Sequence, residues 1–290
     1  MDYPTIKRYL ARKYELNLSL STIHRLLKEF LVKKFDLPPF SPKVACKYTG
    51  LDEFSYAKGH CYAVALINLD KGKIIDIVAG GKTTAAAMAV LNSCDTSLVQ
   101  ASCIDMWKPF KIACYKKLPN ADVVVDKFHV ISQLNQCVED VRKRISFELE
   151  APQSVYIYQN RFLLLKGKER LSIIQRTKLA SLLLINEELS KTYNFKELLR
   201  SIYEITDTEQ AYSELWKWIK DAQSSHIPEL VQIANSFDQE WFTEIFNYWH
   251  YRISNGVTEG KINKIRVIQR KAYPYRNFSS LRYQILKSEL

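Results

Sequence analysis

Glycine and proline are scarce in this chain of 290 residues, at 8 and 9 copies, which excludes a collagenous or linker-rich protein. No apolar run approaches the roughly 18 residues that a membrane span needs. The opening MDYPTIKRYLARKYEL carries charges where a secretory signal would place an apolar segment. The six cysteines (Cys46, Cys61, Cys94, Cys103, Cys114, Cys137) are scattered, with no CxxC pair and no histidine at ligand spacing. Buried reduced thiols are therefore expected rather than a disulfide framework or a structural zinc site. These absences predict a soluble, untargeted protein without a membrane partner, placed in the cytoplasm.

What is present is a near-average globular composition, 47% hydrophobic and 25% charged, with a net charge of +11. The excess is localised. Residues 1–36 hold eight Lys/Arg against four Asp/Glu, residues 259–290 hold eight against two, and the other 222 residues hold 26 against 25. Two basic terminal segments are the distribution expected when particular surfaces face a polyanion such as DNA, and DNA in turn implies association with the nucleoid. Two solvated basic helices are the plainer alternative.

The first 36 residues read as two amphipathic helices, IKRYLARKY and STIHRLLKEFL, with Ser19 or Ser21 offering the second an N-cap. The pair resembles a helix-turn-helix, in which Ser21, Thr22, Arg25 and Lys28 are the candidate DNA contacts. DLPPFSPK, with three prolines, reads as a linker at residues 37–43.

From Val44 the pattern turns to strands. VACKYTGLDEF, HCYAVALINL and KIIDIVAG form a predicted meander, followed by the helix TTAAAMAVLNSC and the strand LVQASCI. MWKPFKIACYKKL is a second helix, broken early by Pro109, and ADVVVD is a short apolar strand. Helical patterns then run to about Trp249, before a turn-rich SNGVTEG and a last basic helix beginning near Glu259. The order β-β-β-α-β-α-β is that of the ribonuclease-H-like fold, an α/β class with a mixed sheet. We therefore expect a core over residues 44–129, an all-helical insertion over 130–249, and completion of the core over 250–290.

That fold brings carboxylates together from its first strand, its fourth strand and a later helix. Asp52, Asp105 and Glu259 stand at those places. Converging carboxylates repel unless a cation lies among them, and hard oxygen ligands suit Mg²⁺ or Mn²⁺, of which two ions are expected. Asp126 competes with Asp105 but sits on the fifth strand, a further ~5 Å from the first. Asp126 and His129 either assist the site or form a helix cap with the histidine packed beneath it. Strand alternation sends Glu53 to the face opposite Asp52. Asp70 and Asp76 read as solvated, and His60 as a secondary phosphate contact at a strand start. Tyr248, Trp249 and Tyr251 either stack on an unpaired base or pack in the core.

The runs LDEFSYAKGHCYAVALINLDKGKIIDIVAGG, PNADVVVDKFHVISQLNQCVEDVRKR and SNGVTEGKINKIRVIQRKAYPYRNF resemble the DDE transposases of the ISL-three insertion-sequence family, roughly over residues 50–140 and 254–278. The resemblance implies a ribonuclease-H-like core, a helical insertion before the last acid, and metal-dependent strand cleavage and transfer at transposon ends, by a homo-oligomer assembled on DNA. On matching positions it implies Asp52, Asp105 and Glu259 as the metal-holding acids and Asp126 with His129 as the auxiliary D-x-x-H pair. Along the last helix, Lys261, Arg266 and Arg270 become candidate DNA contacts. Two departures stand out: Gly81-Lys82 replaces the family's Gly-Arg, and the Cys/His zinc-binding module expected ahead of the helix-turn-helix is absent. The alternative expectation is thus a truncated, non-catalytic remnant that binds DNA or pairs with a full-length transposase.

Overall fold

The computed structural model describes residues 3–35, 43–59, 61–271 and 278–289. The linker at 37–43, apart from its last residue, and His60 therefore lie outside the described residues. So does the side chain of Lys28. Within the described residues the chain is a mixed α/β protein with five strands and thirteen α-helices, and the strands and the helices between them follow the order β-β-β-α-β-α-β. No helix among these residues is long and apolar enough to cross a membrane. The chain forms two compact units, one drawn from residues 1–100, 112–120 and 257–290, the other from 101–111 and 121–256.

In the first unit, α1 (Tyr3–Tyr14) and α2 (Leu20–Phe35) precede β1 (Tyr48–Ala57), β2 (Cys61–Asn68) and β3 (Lys73–Ala79). The three strands pair antiparallel in sequence order. β2 lies in the middle, and from Ala63 to Asn68 every residue is buried, which explains its unbroken apolar run where an edge strand would alternate. α3 (Thr84–Leu91) packs on β2 and β3, with Thr83 as N-cap. Phe54, Ala65, Ile67 and Ile77 join a core with Ile262 and Ile265 of α12 (Gly256–Lys271) and Leu281 and Ile285 of α13 (Phe278–Lys287).

The second unit pairs β4 (Ala101–Ile104) with β5 (Asp122–Val125) in parallel, both wholly or largely buried. α5 (Lys127–Ile145) buries Val130, Leu134, Val138, Val141 and Ile145 at helical spacing. Helices α6 (Ala151–Leu165), α7 (Ile173–Leu183), α8 (Glu187–Ile202), α9 (Thr208–Gln223), α10 (Pro228–Ser236) and α11 (Phe242–Tyr251) follow. Arg144 of α5 holds both Glu188 and Glu229, at 2.5 and 2.7 Å. Asn247 of α11 donates to the Val123 carbonyl of β5 at 2.9 Å.

Several local expectations are corrected. Val44 makes only an isolated bridge to Cys94, and β1 begins at Tyr48. Pro109 does not break α4 (Lys108–Lys117) but sits in its first turn, where a missing N–H costs nothing. Asp76 is not solvated: it is 4% exposed and holds a guanidinium, a hydroxyl and an N–H. The basic C-terminal segment forms α13 as well as α12. Tyr248 and Trp249 are buried, so their role is core packing, while the Tyr251 hydroxyl donates to Asp122 at 2.7 Å. All six cysteines are free thiols, five of them buried.

Candidate active site

In the second unit, the parallel pairing of β4 and β5 extends one step beyond the strands, through the Asp126 N–H to the Ile104 carbonyl at 3.0 Å. This fixes two acids at neighbouring strand ends, Asp105 after β4 and Asp126 after β5. His129, in the first turn of α5, presents Nε2 to Asp105 Oδ1 at 2.8 Å. Asn255 donates its side-chain amide to the same oxygen at 3.2 Å. Asp105 is thus held by two donors while staying partly accessible.

Asp126 is buried and stands at the N-cap position of α5. Burial raises its pKa above the ordinary aspartate range, and Asp105 adds to this. The backbone N–H groups of Asn255 and Phe128, with His129, only partly offset it. Asp126 therefore ties the α5 start to the segment carrying Asn255. That segment begins where α11 ends at Arg252, in the left-handed region at φ 52°, with the Arg252 guanidinium on the Ile205 carbonyl at 2.7 Å. Asn255, 4% exposed, was missed by sequence reasoning. Its only mark in the sequence is its place in the turn-rich SNGVTEG.

In the first unit, Asp52 lies on β1 and its Oδ1 accepts the N–H of Glu53 at 2.7 Å. The carboxylate folds back along its own strand, and the carboxylate oxygens of Asp52 and Glu53 approach within 4.8 Å. The two carboxyl groups therefore come near each other although neighbouring side chains of a strand start out on opposite faces. Glu53 is also ion-paired with Lys82. Lys82 follows Gly80 and Gly81, whose N–H groups both bond to the Tyr62 carbonyl at φ 145° and 74°. A Cβ on Gly80 would meet Ala86 at 3.1 Å, so this turn requires glycine.

Glu259 is exposed in the first turn of α12, while Ile262 and Ile265 face the core. Arg266 donates to Asn263 at 2.9 Å, and both stay exposed, as does Arg270. Lys261 is engaged within the chain: it and Lys264 hold Glu289, at 2.9 and 2.6 Å. In the N-terminal helices Ser19 is the cap of α2, accepting the Thr22 N–H at 3.1 Å, and its hydroxyl contacts those of Ser21 and Thr22. Arg25 pairs with Glu29 at 3.8 Å. α1 and α2 belong to the same compact unit as β1–β3, with Tyr283 of α13 on the Leu27 carbonyl at 3.3 Å and Gln284 on Tyr3 at 2.5 Å.

The described residues thus form a mixed α/β protein with acids at neighbouring strand ends and a long run of helices after the last strand. The family model described as "Transposase", of the ISL-three DDE type, matches residues 49–285. The chain belongs to this family. It is 27% identical over 240 residues to the transposase for insertion sequence element IS1001 of Bordetella parapertussis, covering 80% of this chain and 58% of that protein. It is 24% identical over 260 residues to the transposase for insertion sequence element IS1557 of Mycobacterium tuberculosis, covering 80% of this chain and 57% of the relative. The chain thus spans a little over half the length of the curated relatives it matches.

Proposed function

We propose that the chain catalyses metal-dependent cleavage and transfer of DNA strands at the ends of an insertion sequence, on a ribonuclease-H-like core. The observation that carries this reading is the hold of His129 and Asn255 on Asp105, all within the residues matched to the family. Asp52, Asp105 and Glu259 are the proposed catalytic acids. The donor chemistry fits a hard divalent cation, because Asp52, Asp105 and Glu259 offer carboxylate oxygens alone. Asp52, Asp105 and Glu259 would hold Mg²⁺ or Mn²⁺, as two ions in our reading, which would supply an activated nucleophile and charge compensation at the leaving oxygen.

The chain's own residues prepare that chemistry. His129 and Asn255 fix the rotamer of Asp105, leaving its second oxygen for ligation. Asp126, raised in pKa by burial, braces the Asn255 segment against the start of α5. Arg266 and Arg270 on α12 are the proposed backbone contacts. The α1–α2 pair, read as a helix-turn-helix, adds Ser21, Thr22, Arg25 and Lys28, and the active form is a homo-oligomer on DNA at the nucleoid. The test is cleavage of a labelled element-end duplex with and without Mg²⁺. Asp52→Asn and Asp105→Asn each should abolish cleavage while leaving thermal melting without metal little changed. Wild-type cutting by either variant overturns that acid's assignment.

A further inference from the structure

Beside the N-terminal end of α5 lies a cavity of about 660 Å³ that belongs wholly to the second unit. This is within the range of pockets that take small organic groups, roughly 300–1,000 Å³. One wall is Phe128, which leaves 65% of its surface exposed although its helix has a well-filled inner face. The Phe128 ring packs edge-on against His129, with centroids 5.6 Å apart at 87°, and His129 is the residue that holds Asp105. The aromatic wall is therefore one side chain removed from a proposed catalytic acid.

A second wall is Tyr203, 3% exposed, whose buried hydroxyl has no hydrogen-bond partner among the described residues. Its ring is fixed by stacking on Trp249, 4.9 Å between centroids at 16°. Two of the three acids lining the cavity are paired: Glu169 with Arg200 at 2.6 Å and with Arg170 at 3.6 Å, and Glu197 with Lys196 at 2.8 Å, while Glu204 completes the acidic lining. Lys127 and Arg170 also line it, and the Arg170 side chain is 81% exposed.

We propose that this cavity takes one unpaired nucleobase of the DNA strand that passes Asp105. Phe128 is the stacking face, Tyr203 closes the back of the cavity, and Lys127 and Arg170 meet the flanking phosphates. An aromatic face with cations beside it suits single strands of any sequence, since every base has a π-face. The proposal rests on the reading of the chain as a DNA strand-cleaving protein.

The test uses the full chain and two probes, a blunt duplex and the same duplex with a single-stranded extension carrying aminopurine. Wild type should prefer the extended probe by roughly tenfold and quench the aminopurine by stacking. Phe128→Ala should lose both preference and quenching, and Phe128→Trp should keep them. Phe128 is exposed, so its variants should melt as wild type does, which separates loss of the pocket from loss of fold. A Phe128→Ala protein that keeps both signals overturns the proposal. Equal wild-type binding of the two probes overturns it too, while leaving the DNA reading intact. Failure to bind either probe removes both.

Discussion

His129 reaches Asp105 across 2.8 Å from a different element, the helix that follows the next strand of a parallel pair. A histidine on Asp105's own loop would move with it; this one is anchored by α5 and limits the carboxylate to one orientation. His129→Ala should therefore lower metal-dependent cleavage by about 10–100-fold, the usual effect of losing a group that orients a ligand. The loss should be reduced by raising the Mn²⁺ concentration, which a merely unfolded variant would not show. A His129→Ala protein with unchanged rate and unchanged metal dependence would remove the histidine from the site.

Asp76 and Arg282 form a bidentate pair, at 2.7 and 2.8 Å, between β3 and α13. Asp76 also accepts the Ile77 N–H and the Ser93 hydroxyl, each at 2.7 Å. Removing the guanidinium leaves a buried carboxylate without the cation that compensates it. Arg282→Ala should cost about 3 kcal/mol, read as a lower urea midpoint at unchanged slope. Asp76→Asn with Arg282→Met should recover part of that loss, because it leaves no unpaired charge behind.

The strand meander and the helical block were legible because continuous apolar runs and helical periods are properties of contiguous residues. Asp76 was not, since its partner stands 206 residues away and an acid in a strand carries no mark of which face it takes. Alternation alone did not reveal how near the Asp52 and Glu53 carboxyl groups come, because the Asp52 carboxylate turns onto the Glu53 N–H. Asn255 had no periodic signal at all, since it lies in the segment between α11 and α12 and acquires its role only when that segment meets Asp105. Candidate acids are visible as residue types at element ends. The groups that orient them are visible only in three dimensions.

Glu289 closes the end of α13 onto Lys261, Lys264 and the Ile74 N–H. Burial pushes its pKa up, but the two lysines and the N–H outweigh burial and hold it below the ordinary value of 4.5. A depressed folded-state pKa stabilises the protein above the unfolded value, and that contribution is lost as pH falls through the folded one. Glu289→Gln should cost about 1 kcal/mol at neutral pH, with the lysines partly screened by solvent. The gap to wild type should close as pH falls below 4.5. A gap in urea midpoint that stays constant down to about pH 3 would contradict this linkage.

Glu259, Asn263, Arg266 and Arg270 follow one another along α12 at offsets that share a helix face, and all four are exposed while Ile262 and Ile265 are buried. The acid and the arginines should then separate two functions on one stripe. Glu259→Gln should stop cleavage and preserve or slightly improve DNA binding, since it removes a negative charge near phosphate. Arg266→Ala with Arg270→Ala should weaken binding and flatten the dependence of log K on log salt by about 2 at most, near 0.9 for each phosphate no longer neutralised. Lys261→Ala should leave that slope almost unchanged, because its ammonium is already engaged by Glu289. Filter binding across a salt series, run beside strand cleavage, distinguishes these outcomes. If the arginine double variant bound and cut as wild type does, the stripe would be an ordinary solvated face, and DNA contact would have to be sought on α1 and α2. If Glu259→Gln still cut, the proposed acids would reduce to Asp52 and Asp105.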